Sequence, residues 1–285
     1  MVAWRTVLDK VESMRALDRV ADPIQRAVSA ALRGRVSDAL HGVWLGHPLH
    51  PAIVPVTYGG WLGAGVLDAS GGDEQAATTL VAVGCAAAVP TAAAGLNDWA
   101  SLSREQRRVG LVHSAGNSIA LGLYLASLVS RLRGRHDRGR VLGFAGLAVT
   151  SAAAYVGGHL SYRQAAATNQ AEPWLRQIPE GWHDICREQD LDTGSPLVAH
   201  IGDVPVLVVR DGDDVTVMIE HCGHETGPLG SGERVHIDGA ECLVCPWHGS
   251  TFRLSDGAVV RGPAANSQPL LQTRIVEGRV QVAVP

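Results

Sequence analysis

Lysine, arginine, aspartate and glutamate are missing from four stretches of this 285-residue chain, 48–67, 76–96, 109–129 and 141–160. Each is near the roughly 20 residues that an α-helix needs to span a bilayer. They are rich in alanine and glycine rather than leucine. That composition suits membrane helices whose backbones approach closely, with a buried soluble bundle as the alternative. Cysteine is scarce, at five residues, namely Cys85, Cys186, Cys222, Cys242 and Cys245. No disulfide framework is implied, although Cys242 and Cys245 alone would read as a redox dithiol. The N-terminus is charged and amphipathic, and no short apolar segment with a cleavage site follows it, so no secretory leader is expected. Basic residues are few after 178. Residues 179–285 carry 7 basic and 16 acidic side chains, against 17 and 12 before them. An acidic second half argues against a nucleic-acid partner, and a basic first half suits anionic lipid.

The chemistry is concentrated between His221 and Phe252. Cys222 and His224 form a Cys-x-His pair, and Cys245 and His248 a Cys-x-x-His pair. Two short loops thus offer two thiolates and two imidazoles. Zinc takes such a set tetrahedrally in small modules. An iron–sulfur centre divides it, with both cysteines on one iron and both histidines on the other. Gly227-Pro228, Pro246 and Gly249 follow the ligands, which suits two turns rather than the helix of a zinc finger. With Cys245 committed to metal, Cys242 reads as a small residue in a strand.

At these residues the chain resembles the Rieske ferredoxin family. The resemblance runs over about 179–285 and includes Cys-Pro-Trp-His-Gly-Ser with Phe252 two residues on. It implies a [2Fe-2S] cluster with Cys222 and Cys245 on one iron and His224 and His248 on the other. It further implies a flanking proline loop at Gly262-Pro263. High-potential members carry a second cysteine pair and a tyrosine near the cluster. Here Gly227, Trp247 and Phe252 stand at those positions while Ser250 is retained, so the expected potential is low for the family, about −150 to 0 mV. Runs at 204–209, 215–219, 234–237 and 274–284, separated by Asp211-Gly212, Asp256-Gly257 and Glu277-Gly278, predict a small antiparallel β domain.

Residues 1–40 predict amphipathic helices. Val7, Val11, Met14, Leu17 and Val20 share one face, and Pro23 opens a second helix capped by Asp22. The four apolar stretches predict a four-helix transmembrane bundle over 41–165, joined by a linker at 166–178 to the β domain at 179–285. The fold class is therefore multidomain, α-helical and then all-β. If the helices alternate in direction, His47, His50, Asp98, His113, Asn117 and His159 gather at one end of the bundle, the end from which the β domain emerges. Intramembrane ionisable residues are functional candidates because leaving them unpaired in lipid is costly. For His47, His50, His113 and His159 three readings stand: haem b held by two histidines, another metal, or a structural or quinone-bonding role.

This first part is similar to an uncharacterised prokaryotic family of four-helix membrane proteins. The shared features are His-Pro-Leu-His-Pro at 47–51, Asp98-Trp99, Arg107-Arg108 with His113, and Gly157-Gly158-His159. The resemblance implies a membrane bundle and no activity. Arginines at 33, 35, 104, 107, 108, 163 and 176 on the histidine side outnumber those at 131, 133, 135, 138 and 140 on the other. That excess places the β domain in the cytoplasm, at a multi-pass cell-membrane protein.

Together these features predict a membrane-anchored electron-transfer protein. It would take an electron from a reductase or ferredoxin and pass it to a bundle cofactor, a quinone or an oxygenase. An oxygenase centre of its own needs two histidines and a carboxylate, and no such set follows the Rieske-like motif. The alternatives are an oxidoreductase with haem or metal in the bundle, and a redox sensor on a structural anchor.

Overall fold

The structure is a computed structural model that describes residues 2–285; Met1 lies outside the described residues. The chain divides into two compact units, Met1–Val36 with Leu49–Ala166, and Ser37–Pro48 with Ala167–Pro285.

The first unit is helical. Two short helices, α1 (Val2–Ser13) and α2 (Asp18–Ala31), precede four long ones, and α3 (Arg35–His41) falls mostly in the second unit. The long helices are α4 (Leu49–Ser70), α5 (Glu74–Ala100), α6 (Arg104–Leu132) and α7 (His136–Tyr162). The pairs α4–α5 and α6–α7 pack along their lengths, and α5–α6 and α4–α7 contacts join the pairs. Local chemistry sets the boundaries. The Asp73 carboxylate accepts the Ala76 N–H to open α5, and Ser103 and Gln106 form a capping box at the start of α6. By length and composition α5, α6 and α7 are apolar enough to cross a membrane. The 22-residue α4, with His50, Thr57 and Tyr58, is not among them.

Small residues let these helices close up. A Cβ on Gly84 would lie 2.4 Å from the Trp61 ring, and one on Gly110 would lie 2.4 Å from Trp99. Trp99 sits there because its indole N–H also donates to the Arg107 carbonyl at 3.0 Å. The N-terminal helices differ in detail from the periodicity. Leu8, Ala21 and Val28 are buried, whereas Val7, Met14 and Val20 are exposed. Helix α2 begins at Asp18 rather than at Pro23, and Asp22 faces Arg107 instead of capping. The reason is tertiary: Asp18 receives two hydrogen bonds from the Arg108 guanidinium, both 2.7 Å. Arg131, one of the arginines counted on the side away from the histidines, lies in the last turn of α6 with a fully buried side chain paired to Asp68.

The second unit contains ten strands. One sheet has the order β1 (His183–Arg187), β10 (Arg279–Ala283), β9 (Leu270–Val276), β4 (Asp214–Ile219), β3 (Val204–Asp211), β2 (Leu197–Ile201). The other has β5 (Glu233–Ile237), β6 (Ala240–Val244), β7 (Thr251–Arg253) and β8 (Val259–Arg261). Every pairing is antiparallel. Strand β3 is buried on both faces, as its unbroken apolar run requires. Val206 and Val208 enter one core with Val217 and Val282, and Leu207 and Val209 enter another with Leu243, Phe252, Cys222 and Cys245. The second core therefore ends at the two cysteines. Residues 37–48 also belong to this unit. Asp38 accepts the Gly262 N–H at 3.0 Å, and the 3-10 turn Val43–Leu45 packs on β8. A short helix, α8 (Glu172–Leu175), completes it.

Candidate metal centre

The four predicted ligands sit on two loops with the same backbone construction. In the loop after β4, the Cys222 N–H donates to the Gly227 carbonyl and the Thr226 N–H to the Cys222 carbonyl, both 2.9 Å. In the loop after β6, the Cys245 N–H donates to the Ser250 carbonyl at 2.8 Å and the Gly249 N–H to the Cys245 carbonyl at 3.1 Å. Each cysteine thus starts a tight turn that reverses within five residues. Thr226 (φ 59°) and Gly249 (φ 73°) hold the left-handed conformation that closes each one.

The turns bring like ligands together. Cys222 and Cys245 are both buried, and their thiols interact. The neighbouring Cys222 thiol, helped by the Trp247 and His248 backbone N–H groups, holds Cys245 down. The same contact, with burial, pushes Cys222 up. The imidazoles of His224 and His248 lie 5.0 Å apart between centroids, nearly perpendicular. Burial first, then His248 and His41, lower His224 to about 3, so it is neutral at physiological pH, the form that binds metal. His224 is buried and His248 is exposed. Among the described residues no three His, Cys, Asp or Glu side chains converge as ligands of a single ion, which a tetrahedral zinc site would require. The donor set is divided two and two, and that division fits a two-iron cluster.

Neighbouring residues lock the loops. A Cβ on Gly227 would lie 2.9 Å from the Cys245 sulfur and 3.2 Å from the Trp247 ring, so this position admits glycine alone and adjoins Trp247. The Gly262-Pro263 segment lies against the second loop, where a Cβ on Gly262 (φ 87°) would lie 2.7 Å from the Gly249 carbonyl. The buried Ser250 hydroxyl accepts the Ala264 N–H at 3.1 Å. Sequence reasoning missed Gln268. Its amide is 1% exposed, donates to the Ile219 and His221 carbonyls at 2.7 and 2.9 Å, and accepts the Gly223 N–H at 3.0 Å. Nothing in its local sequence marks it, because its partners lie more than forty residues away. The segment after α7 also contributes, through a Gln170 N–H to Gly223 carbonyl bond of 2.8 Å and the Trp174 ring 4.4 Å from His221.

Residues 181–277 match the Rieske [2Fe-2S] domain, and residues 46–170 match the family described as predicted membrane protein (DUF2231). The chain joins a Rieske [2Fe-2S] domain to a DUF2231 domain. The Rieske domain is 27% identical over 103 residues to the anthranilate 1,2-dioxygenase ferredoxin subunit of Burkholderia cepacia, covering 36% of this chain and 92% of that one. Cholesterol 7-desaturase of Drosophila melanogaster is 32% identical over 92 residues, which are 32% of this chain and 21% of that protein. The chain thus spans about a fifth of the length of that relative, and 16% of human apoptosis-inducing factor 3. Among solved structures, the ferredoxin of carbazole 1,9a-dioxygenase from Nocardioides aromaticivorans aligns with a TM-score of 0.34 and 24% identity, over 37% of this chain and all of that one.

His50 and His113 adjoin, with ring centroids 6.4 Å apart, and Asn117 lies 3.1 Å from His113 Nε2. His159, in the last turn of α7, has a buried Nε2 with no hydrogen-bond partner among the described residues. His47 belongs to the unit of the Rieske domain, where its Nδ1 lies 3.0 Å from the Pro48 carbonyl.

Proposed function

We propose that this chain is a membrane-anchored one-electron carrier in which Cys222 and Cys245 hold one iron of the cluster and His224 and His248 hold the other. The observation that carries the reading is the pair of like-built turns that sets two buried cysteines side by side and two imidazoles 5.0 Å apart. A [2Fe-2S] cluster bound there supplies one-electron oxidation and reduction. The protein's own contribution is access and exclusion. His224 is closed off, whereas His248 is exposed and flanked by Pro246 and Trp247, so electrons exchange at the His248 edge. The excess of acidic side chains over 179–285 favours a partner with a basic docking face.

The partner is a reductase or ferredoxin on the donor side, and an oxygenase, a quinone or a cofactor in the helices on the acceptor side. Similarity to a dioxygenase ferredoxin subunit supports the oxygenase. An oxygenase centre within this chain gains no support, since among the described residues no three-ligand group is assembled. Helices α4 to α7 form a four-helix transmembrane bundle in a multi-pass cell-membrane protein, with the Rieske domain in the cytoplasm. The functional domains are 41–165 and 179–285, with 1–40 as amphipathic helices at the membrane surface and 166–178 as the linker. A second reading, that the helices themselves hold a haem or another metal, is favoured by the adjoining His50 and His113.

The test is a set of single substitutions, Cys222→Ser, His224→Ala, Cys245→Ser and His248→Ala, in the full chain extracted from membranes. Each should abolish the signal of the reduced cluster while leaving the protein in the membrane fraction after alkaline carbonate washing. A cluster that survives any of the four, or a chain released by carbonate, contradicts the corresponding part of the reading.

A further inference from the structure

The two helix pairs of the membrane domain repeat one another. In α4 the residues His50, Trp61 and Asp68 have the same spacing as His113, Tyr124 and Arg131 in α6. In the partner helices Gly84 and Gly95 have the spacing of Gly146 and Gly157. The contacts repeat with the spacing. His50 lies against Gly95, where a Cβ would sit 2.6 Å from its Nδ1, and His113 lies against Gly157, where a Cβ would sit 2.9 Å from its ring. Trp61 lies on Gly84 and Tyr124 on Gly146 in the same way, at 2.4 and 2.8 Å. His50 Nδ1 lies 2.9 Å from the carbonyl of Thr91, four residues before Gly95, and His113 Nδ1 lies 2.8 Å from that of Ala153, four before Gly157.

Corresponding residues also meet each other. His50 adjoins His113, Trp61 stacks on Tyr124 with centroids 4.1 Å apart and planes 9° apart, and Asp68 pairs with Arg131. Equivalent positions of two copies touch one another only at a two-fold axis. The domain is therefore two copies of one helical hairpin about a pseudo-two-fold axis. Two of its three levels explain themselves: a ring stack in the middle and an ion pair, with side chains 0% and 4% exposed, at one end. The histidine level does not, because two imidazoles gain little from each other and each has displaced a side chain from its neighbour helix.

We propose that His50 and His113 are a pair of trans ligands for a single transition-metal centre on this axis, which deepens the second reading above. The tautomers are fixed for it. A carbonyl oxygen only accepts, so each Nδ1 carries the proton and each Nε2 keeps the lone pair that binds metal. Donation of the other ring N–H to a backbone carbonyl is the usual support of a metal-bound histidine. The Asn117 amide nitrogen lies 3.1 Å from His113 Nε2 and identifies that atom as the acceptor; it occupies the lone pair that a metal would use, so binding requires Asn117 to turn away. The separation agrees as well. Two imidazoles each bonded at about 2.0 Å to one ion, on opposite sides of it, have centroids about 6 Å apart, against 6.4 Å here. The chemistry required would be that of a centre taking two neutral imidazoles on opposite sides, which haem iron and Cu(I) would supply and a tetrahedral zinc ion would not.

The experiment is elemental and pyridine-haemochrome analysis of the detergent-purified full chain, with haemin and Cu(I) titrated separately onto preparations stripped of loosely held metal. Histidine-dependent binding of one equivalent per chain is expected, lost in His50→Ala and in His113→Ala and kept in His136→Ala, whose ring faces Glu74 at the end of α7 nearest its start. Gly95→Ala, which leaves both histidines in place but displaces His50, should weaken binding by about tenfold or more. A haemochrome spectrum identifies haem, and metal without it identifies the bare ion. Where an alanine variant cannot be purified, nitrogen hyperfine couplings of ferric haem, or of the copper centre after oxidation to Cu(II), recorded on the unaltered chain with its cluster oxidised and silent, decide, two imidazoles being expected. Failure of both probes to bind while the cluster signal is intact overturns the proposal, as does a bound centre with fewer than two imidazole nitrogens. Loss of the cluster signal itself would bear on the Rieske ligands alone.

Discussion

Replacing Gln268 by methionine keeps the length and apolar stem of the side chain and removes the amide that ties three segments of the first ligand loop. The bonds to the Ile219 carbonyl, the His221 carbonyl and the Gly223 N–H all disappear. Gly223 stands between Cys222 and His224, so the lost contacts fall on the backbone that aims both proposed ligands. A hydrogen bond of this kind contributes about 1 kcal/mol net, and more where its removal leaves a buried partner unsatisfied. Three of them give about 3 kcal/mol, which is roughly a hundredfold in the opening equilibrium of the loop. Hydrogen exchange by mass spectrometry on the peptide covering 219–229 reads that equilibrium directly. The expected result is exchange about a hundredfold faster in the variant, with parallel acceleration of cluster loss to a chelator. Exchange within about threefold of the unaltered chain would show that the loop is held by other contacts and would refute the role given to Gln268.

Gly227→Ala places a methyl 2.9 Å from the Cys245 sulfur and should reduce cluster content several-fold without unfolding the sheets, as measured by iron and circular dichroism together. Asp68→Asn leaves the buried Arg131 guanidinium uncompensated and should cost about 3–5 kcal/mol; the exchanged pair Asp68→Arg with Arg131→Asp should recover part of it in a thermal-unfolding assay, and no recovery would argue against the pseudo-two-fold placement. Asp18 titrates below its ordinary 3.8 because Arg108 hydrogen-bonds to it. The stabilisation is therefore present above that value and lost as pH falls through the lower folded one. Amides of 18–31 should stay protected at pH 5 and lose protection only well below pH 4, and earlier release would contradict the contact.

The elements with strong periodicity were legible. Apart from Pro48, the charge-free stretches lie within α4 to α7, and the candidate ligand set followed from residue type and spacing, since few centres accept two cysteines and two histidines on loops. What escaped was tertiary. Residues 37–48 group with the Rieske domain because Asp38 caps the Gly262 backbone, a contact with no local signature. The start of α2 was expected at Pro23 and lies at Asp18, which is held by Arg108. His47 was grouped with His50, His113 and His159 by helix topology, and it falls just before the boundary of the helical unit at Leu49. The repeat of His50, Trp61 and Asp68 in α6 was hidden because its second copy reads His113, Tyr124 and Arg131. One pair is conserved in type and another reversed in charge, as two sides of a shared contact require.

The most direct measurement is the electron paramagnetic resonance spectrum of the dithionite-reduced full chain in detergent, with iron and zinc determined on the same sample. The account predicts two irons and a rhombic signal of average g below the free-electron value, with hyperfine coupling to two imidazole nitrogens that vanishes in His224→Ala and His248→Ala. One zinc per chain with no such signal would contradict it.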